Sequence, residues 1–474
     1  MEEAISDVRP PAARALSLWI VVLLLAQGCA LREPARAPAL PAAVADEVST
    51  IVATALDGQQ APGASLVVMK GDELVLARGF GLESVERADG VTPETVFPLN
   101  SISKQFTAAL ILKLAEEGKL AIDDPVARHL PDFTELPQGL TLRHLLTHTS
   151  GMREIMAQPG LNAVLEKLGA VEEEFVALAR HSPADFAPGG RWSYANLNYA
   201  MLTLIAERTS GQGLEDALRA RFFGPLGLSS LRVCPPHPGS GRGAARGHTR
   251  SQDKFVPHPP ENFQLFRGMG GFCGTAPDLA RWARALATGG VLGPQSYSQM
   301  ITPVRLNDGR AAEYGMGTAL VSPDGARRLG HGGYGGGFSA QFAYYPEREL
   351  TVVLIMNRWV FPEHVERRIS RRLLGLPEAT VEARTLTPEQ RRRYEGSYEV
   401  GVRGWYPQVV ERDGKLWFEA QPLPPQLLVY VGDDEFVREG EPYGYRLYFG
   451  PDGPAREVRI LGMGLMSWYG VRRP

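Results

Sequence analysis

Two apolar hairpins, one early and one late in the chain, constrain the fold more than any other feature of the sequence. The stretch "ASLVVMKGDELVLARGFG" predicts two strands joined by a tight turn at Gly71-Asp72. The stretch "GFSAQFAYYPERELTVVLIMN" predicts a second pair that turns between Pro346 and Glu349. Because the segment between them is mostly helical, we predict one antiparallel sheet made from both ends of a domain, with a helical lobe inserted between them.

The 474 residues are too many for one core, since single cores stop growing near roughly 250–300 residues. From "LPEATVEARTLTPEQ" onward, dense aromatic residues and recurring turn signals indicate an all-β unit. We therefore predict an α/β (α+β) domain over 46–375, with helices flanking the antiparallel sheet, a linker over 376–384 and a small all-β domain over 385–474. Helices are expected at about 43–56, 102–118, 139–148, 172–181, 197–209, 213–222 and 276–288 and in "EHVERRISRRLLG", and the composition of 232–262 predicts a long surface excursion.

The N-terminus carries an apolar run from Leu16 to Ala26. It is shorter than the ~20 residues that span a bilayer, and it is typical of the apolar region of a secretory signal peptide. Its end resembles a bacterial lipobox, in which Cys29 would be lipidated; the alternative is a cleaved signal with an incidental cysteine. We favour an exported lipoprotein with a signal peptide over 1–29, a Pro/Ala tether over 30–45 and a lipid anchor on the periplasmic side of the cell envelope.

Two more cysteines, Cys234 and Cys273, form no zinc pattern. In an oxidising compartment they could pair, but we expect each to be a small buried hydrophobe. The net charge of -3 gives no reason to expect a nucleic-acid partner. The oligomeric state is left open.

The pattern S-x-x-K occurs twice, and context separates the two copies. Ser101 and Lys104 open the apolar helix of "LNSISKQFTAALILKLAEEGKL", where a spacing of three puts both side chains on one face. A lysine desolvated there has a lowered pKa and can accept a proton from the serine; the alternative is a capped helix with a snorkelling lysine. Ser103 points about 100° away, so we expect it to pack or to hydrogen-bond locally. No helix follows the second copy, Ser251-x-x-Lys254, so we expect no chemistry from it.

Two other segments carry polar residues beside apolar elements. In "GGRWSYANLNYAMLTLIAERTSG", Tyr194 and Asn196 precede a helix; a tyrosine near a cation can act as a base and an amide can orient a substrate. The alternatives are a core tyrosine and a helix N-cap. In "RLGHGGYGGGFSAQF", the glycines around His331 permit close approach of a ligand, and backbone N–H groups there can help to form an oxyanion hole. The alternative is a glycine turn with a satisfied histidine.

Two further patterns suggest chemistry that we reject. His144 and His148 have the i, i+4 spacing of a metal pair, but no glutamate lies between them and no third ligand is apparent. The "HGG" at 331–333 is similar to the oxyanion loop of α/β-hydrolase lipases, but that fold needs a downstream G-x-S-x-G, which the sequence lacks.

In combination, S-x-x-K at Ser101, Y-x-N at Tyr194 and H-x-G at His331 resemble the motifs of the serine β-lactamase-related family. That family includes class C β-lactamases, D,D-peptidases, D-aminopeptidases and related esterases. The stretches "LRHLLTHTSGM", "FFGPLGL" and "GGFCGTAPDLARWARAL" are similar to the same family, and the resemblance covers about 46–375. The tail from "LTPEQRRRYEGSYEV" resembles the lipocalin-like domains of some members.

The resemblance implies catalytic roles for particular residues. Ser101 would be the acylated nucleophile, Lys104 would take its proton, and Tyr194 would be the general base in acylation and deacylation. The backbone N–H groups of Ser101 and Tyr334 would form the oxyanion hole. The substrate would be a small molecule or a peptide, and no metal or cofactor is implied.

The resemblance also implies that Asn196, His331 and Gly333 bind the substrate. His331 stands where many members have lysine and is expected to titrate near pH 6.5, and Gly332 stands where they have a hydroxyl. Both changes weaken recognition of the carboxylate that β-lactams and D-Ala-D-Ala ends carry. We therefore favour a serine hydrolase that acts through an acyl-enzyme on an ester or amide, of the esterase or D-amino-acid peptidase type with at most weak β-lactamase activity. The alternatives are a dedicated class C-like β-lactamase or D,D-carboxypeptidase, and a non-catalytic envelope lipoprotein that binds ligands in the same cleft.

Overall fold

The computed structural model describes residues 39–58, 60–155, 177, 180–322, 325–360, 363–377, 380–400, 406–420, 425–440, 446–450, 455–461 and 467–473. The predicted signal peptide, Cys29 and the first part of the linker lie outside the described residues, as does most of the predicted helix at 172–181. Among the helices in these ranges, none combines the length and the apolarity needed to cross a membrane.

Both predicted hairpins are present, and they share one antiparallel sheet. The strand Gly63–Lys70 pairs with Glu73–Gly81 on one side and with Leu350–Met356 on the other. The early and late parts of the domain therefore meet inside the sheet, as predicted. The six strands lie in the spatial order Ala319–Val321, Arg328–Gly335, Phe338–Tyr345, Leu350–Met356, Gly63–Lys70 and Glu73–Gly81.

Alternate residues of the strand Gly63–Lys70 pack into two separate hydrophobic cores. Val67 packs in the larger core, with the helical lobe. Leu66 and Val68 pack in the smaller core, against the terminal helices Ala42–Asp57 and Glu363–Leu374. Because both faces of this strand are covered, polar side chains there would lose their contact with water. This explains the nearly uninterrupted apolar sequence of the strand.

The helical lobe is organised around the helix Ser103–Glu116, which we call the central helix. Most of its residues are buried on all sides, which is typical of a core helix rather than an amphipathic surface helix. The other helices of the domain agree with the predicted positions to within a few residues where a prediction was made. Within the described residues of the lobe they are Val126–His129, Leu142–Leu146, Asn196–Ser210, Leu214–Leu218 with the π-helical turn Arg219–Phe223, Arg267–Gly270, Ala276–Ala287 and Pro294–Met300.

The composition of 232–262 predicts a long surface loop, but part of this segment is a strand that pairs within the domain. The strand Arg232–Val233 pairs with Phe272–Gly274, and Cys234 is fully buried next to it. Cys234 forms a disulfide with Cys273, with 5.0 Å between the Cα atoms, so the expectation of two unpaired cysteines is wrong. Their proximity comes from this strand pairing between distant segments, which no local pattern in the sequence encodes.

The C-terminal unit is a closed antiparallel barrel of eight strands, which confirms the predicted all-β fold. The helix Pro388–Tyr394 precedes it, each strand pairs with the next, and the last strand returns to pair with the first. Closure leaves no unpaired edge strand in the barrel. Its strands are Gly396–Val400, Gln408–Arg412, Lys415–Glu419, Gln426–Gly432, Glu435–Arg438, Arg446–Phe449, Glu457–Leu461 and Ser467–Arg472.

Candidate active site

Ser101 lies in a 3-10 turn, Asn100–Ile102, that leads directly into the central helix. Asn100 has φ +50°, in the left-handed region that asparagine tolerates better than most residues. Its side-chain Nδ2 donates to the carbonyl oxygen of Gly335 at 3.4 Å, which ties the turn to the main sheet. A sparsely populated backbone conformation next to a candidate nucleophile is typical of a functional corner.

Lys104 is 0% exposed, and its ammonium nitrogen donates three hydrogen bonds. Nζ lies 3.0 Å from Ser101 Oγ, 2.7 Å from Asn196 Oδ1 and 2.6 Å from the carbonyl oxygen of Met269. Burial lowers the pKa of Lys104 to about 7, although the nearby carboxylate of Glu154 opposes the fall. Near neutral pH a large share of Lys104 is therefore uncharged and able to accept the Ser101 proton.

The two other serines considered in the sequence have different roles. Ser103 Oγ donates to the carbonyl oxygen of Asn100 at 2.6 Å and accepts from the backbone N–H of Phe272 at 3.1 Å, so it hydrogen-bonds within the fold as predicted. Ser251 pairs with Lys254 across the turn of an exposed hairpin, His248–Ser251 with Lys254–Pro257. The second S-x-x-K copy is therefore part of a surface turn.

The Tyr194 ring covers the ammonium of Lys104, with 4.9 Å between Nζ and the ring centroid. Its hydroxyl is buried and has no hydrogen bond of good geometry in the described part of the chain. Burial raises the pKa of Tyr194, the neighbouring Ser101 hydroxyl opposes that rise, and the charge of Glu154 adds to it. Tyr194 therefore keeps its proton at neutral pH, and Lys104 is the better proton acceptor of the two.

Asn196 connects Lys104 to a carboxylate that the motifs do not reveal. Its Nδ2 donates to Glu154 Oε1 at 3.0 Å, and its backbone N–H donates to Glu154 Oε2. Glu154 is 3% exposed. It lies in "TSGMREIM", outside the three motifs, and nothing in the sequence distinguishes it from a surface glutamate.

His331 is not the titrating cation that the sequence predicts. The ring is fully buried; Nδ1 donates to the carbonyl oxygen of Gly332 at 2.6 Å and Nε2 accepts from the Tyr314 hydroxyl at 3.0 Å. Burial, assisted by the charge of Lys104, lowers the pKa of His331 to about 3. The expectation of titration near pH 6.5 is wrong, because the imidazole has lost its water and faces an ammonium group.

Gly333 allows the strand Arg328–Gly335 to lie directly against the nucleophile turn. A Cβ atom at this position would come within 2.1 Å of the carbonyl oxygen of Leu99 and 3.0 Å of the backbone nitrogen of Ser101. This approach puts the strand backbone beside Ser101, as an oxyanion hole shared with Tyr334 requires. The Tyr334 side chain is engaged elsewhere, since its hydroxyl donates to Glu363.

The two histidines with metal-like spacing have separate structural partners. His144 Nδ1 lies 2.9 Å from Thr141 Oγ1 at the start of their helix. The His148 ring packs 4.2 Å from the Tyr194 ring, and its Nδ1 accepts from the backbone N–H of Ala195 at 3.2 Å. Burial lowers the pKa of His148 well below its usual value, with Lys104 and His331 adding to the effect. His148 is therefore uncharged at neutral pH and packs against the Tyr194 ring.

The last strand of the barrel reaches this site. The Trp468 ring lies 5.7 Å from that of Tyr194 and 6.0 Å from that of Trp192, measured between centroids. A cavity of about 410 Å³ lies between the two domains next to this cluster, with Trp192 on one wall and Tyr469 on the other. A substrate that approaches Tyr194 from this side meets the barrel, which no sequence motif indicates.

Comparisons with known proteins show what this chain is similar to. A family model described as Beta-lactamase matches residues 48–376. The chain is 30% identical over 308 residues to "Penicillin-binding protein 4*" of Bacillus subtilis, covering 62% of this chain and 68% of that protein. It is 28% identical over 337 residues to a "D-aminopeptidase" of Brucella anthropi, covering 70% of this chain and 62% of the length of that relative.

Solved structures show the same architecture. The octameric penicillin-binding protein homologue from Pyrococcus abyssi has a TM-score of 0.64 at 23% identity, covering 90% of this chain and 99% of that one. SurE has a TM-score of 0.62 at 26% identity, covering 91% of this chain and 99% of its own. Such coverage extends the likeness from the α/β domain into the barrel.

Proposed function

The chain belongs to the β-lactamase family and is a serine hydrolase, and from this premise we propose that Ser101 forms the acyl-enzyme on an ester or amide substrate. The observation that carries the proposal is the 3.0 Å hydrogen bond from Lys104 Nζ to Ser101 Oγ in a buried site. Lys104 takes the Ser101 proton as Oγ attacks the carbonyl carbon, and the backbone N–H groups of Ser101 and Tyr334 hold the oxyanion.

Collapse of the tetrahedral intermediate needs a proton for the leaving group. Tyr194 supplies it, because it is protonated and lies over Lys104, and Lys104 then returns the proton to Tyr194. Water enters, loses a proton to Lys104 and attacks the acyl carbon. When the bond between the acyl carbon and Ser101 Oγ breaks, Lys104 passes that proton to Ser101 Oγ and the acid departs. The protons balance over the cycle, with one water consumed for each ester or amide bond cleaved.

The environment of His331 supports a narrower proposal about the substrate class. Both ring nitrogens are bonded inside the protein and the pKa is about 3, so this position supplies no cation. Gly332 supplies no hydroxyl either. We propose that the substrates are esters and amides without a recognised carboxylate next to the scissile bond, such as D-amino-acid amides, and the name of the D-aminopeptidase relative supports this class.

The test of the nucleophile compares Ser101→Ala with the matched variant Ser251→Ala. Wild type and Ser251→Ala should be labelled by a fluorophosphonate probe, and Ser101→Ala should not. Loss of the nucleophile should lower kcat by about 10⁶-fold, because the lysine alone cannot supply covalent catalysis. Equal labelling of Ser101→Ala and wild type would rule out the proposed chemistry.

The test of the substrate class is a panel of three substrates. We expect kcat/KM for a p-nitrophenyl butyrate ester and for D-alanine p-nitroanilide to exceed that for a chromogenic cephalosporin by about 10²-fold, since the lost carboxylate contacts are worth roughly 1.5–3 kcal/mol each. A cephalosporin that is the best substrate of the three would favour a dedicated β-lactamase instead.

We further propose that the protein is exported and anchored through Cys29. The Cys234–Cys273 disulfide supports an oxidising compartment, because such bonds are rare in the cytosol, and the apolar run before Cys29 supports export. In a bacterial host, a palmitate analogue should label the wild type and not Cys29→Ala. Equal labelling of both proteins, or of neither, would contradict the anchor.

A further inference from the structure

The contacts of Glu154 fix the orientation of the Asn196 side-chain amide, which lies between Glu154 and Lys104. A carboxylate only accepts and an ammonium only donates, whereas an amide has one end of each kind. Glu154 accepts from Asn196 Nδ2 at 3.0 Å and Lys104 donates to Asn196 Oδ1 at 2.7 Å, so the amide fits between them in one orientation only. With Glu154 removed, a rotated amide would place its NH2 group against the ammonium.

Glu154 also holds the backbone at the start of the helix Asn196–Ser210. Its Oε2 accepts from the backbone N–H of Asn196, the first residue of that helix. A negative charge at this end of a helix is favourable, since the N–H groups of the first turn have no partner within the helix. One buried carboxylate thus fixes both the backbone and the side chain of Asn196.

We infer that Glu154 is a positioning residue of the active site, which orients the Asn196 amide towards Lys104. The inference rests on the proposed function, because it assigns a role within the Ser101 chemistry. Glu154 bonds both the backbone N–H and the side-chain amide of Asn196, and we assign its effect on Lys104 to that residue.

The charges around Lys104 make the inference testable by pH. The groups that face its ammonium are the rings of Tyr194 and Tyr199, the neutral imidazoles of His148 and His331, and Glu154. Glu154 alone among these described groups has a negative charge that favours the protonated lysine. Replacing it with a neutral group should therefore lower the pH at which Lys104 becomes protonated.

The experiment measures kcat/KM for p-nitrophenyl butyrate, and the rate of fluorophosphonate labelling, from pH 5 to 10. The variants are Glu154→Gln, which keeps the shape without the charge, and Glu154→Asp, which keeps the charge on a shorter side chain. In Glu154→Gln the acidic limb of the kcat/KM profile, where the rate rises with pH, should move about 1 pH unit lower. The plateau value of kcat/KM above that limb should fall about 10-fold or more. In Glu154→Asp the limb should stay within about 0.3 units of wild type while the plateau still falls, because the charge remains and the reach is lost.

The control is Asp278→Asn, which neutralises another buried carboxylate. Asp278 accepts from the backbone N–H and hydroxyl of Ser230, and it should affect thermal stability without moving the acidic limb. A folded Glu154→Gln with an unmoved limb would overturn the inference. If that variant does not fold, Glu154→Asp decides: a plateau equal to wild type would overturn the inference. Because Ser101→Ala tests the nucleophile separately, failure of this role leaves the proposed function standing.

Discussion

Ser101 and Lys104 lie at the start of a buried helix, whereas Ser251 and Lys254 face each other across the turn of an exposed hairpin. Both pairs have the same spacing in the sequence. In the first pair the lysine is enclosed, with its ammonium donating to three oxygens and its pKa at about 7. The comparison shows that desolvation and a defined set of acceptors, rather than the four-residue pattern, make a lysine able to serve as a base.

The largest difference between the two copies should appear when each lysine loses its charge. Lys104→Met should lower kcat/KM by about 10³-fold, because general-base assistance contributes roughly 10²–10⁴-fold. Lys254→Met should leave kcat/KM within about 2-fold. Steady-state kinetics with p-nitrophenyl butyrate measures both, and circular dichroism checks that both proteins fold. A similar loss of kcat/KM in Lys104→Met and Lys254→Met would contradict the different roles assigned to the two lysines.

The second prediction concerns the strand Arg328–Gly335, which packs against the turn that holds Ser101. Gly333→Ala should lower kcat/KM by about 10²-fold and stability by about 1–3 kcal/mol, because the new Cβ would overlap the backbone at Leu99. The matched variant Gly90→Ala should change little, since the nearest atom to a Cβ there is 3.9 Å away. Thermal melts and kinetics test the pair. An active Gly333→Ala would show that close approach of this strand is not required.

The pH dependence should follow Lys104 alone. Its neutral form is the base and its pKa is about 7, so kcat/KM should rise about 10-fold per pH unit below 7 and level off above it. The sign follows because acid protonates the base and removes its capacity to accept a proton. Lys254→Met should show the same profile as wild type. A rate that falls as pH rises through 7 would contradict Lys104 as the base.

The smallest expected effect concerns the barrel, which contacts the Ser101 site through Trp468. Trp468→Ala should raise kcat/KM for a bulky ester relative to a small one by about 5-fold, because the ring that packs against Tyr194 narrows that side of the site. Trp417→Ala, on a different barrel strand, should leave the ratio unchanged. An unaltered ratio in Trp468→Ala would indicate that the barrel does not select substrates by size.

The fold was largely predictable because its signals are local. The apolar hairpins on either side of Gly71 and of Pro346 predict strands wherever they occur, and their paired positions at both ends of the domain predict a shared sheet. The dense aromatic pattern and the turn signals after Thr385 predict an all-β unit for the same reason, whereas its closure into a barrel is seen only in the structure. The order of the strands in the sheet was not predicted, because it depends on packing between distant segments.

The candidate site was predictable only where motifs carry it. Ser101, Lys104, Tyr194 and Asn196 were predicted from order and spacing, and the structure brings them together. Glu154 was missed because the sequence does not distinguish a buried glutamate from an exposed one. The Cys234–Cys273 bond was missed for a similar reason, since pairing needs two strands to lie side by side.

By itself, the sequence determined the helices and strands, the all-β character of the C-terminal unit and the different local structure around Ser101 and Ser251, because periodicity and spacing act over a few residues. Only the tertiary structure decided the properties that arise from enclosure. These are the lowered pKa values of Lys104 and His331, the hydrogen bonds between Glu154 and Asn196, and the contact of Trp468 with Tyr194. Desolvation and electrostatic coupling depend on every group within a few ångströms, and most of those groups are far away along the chain.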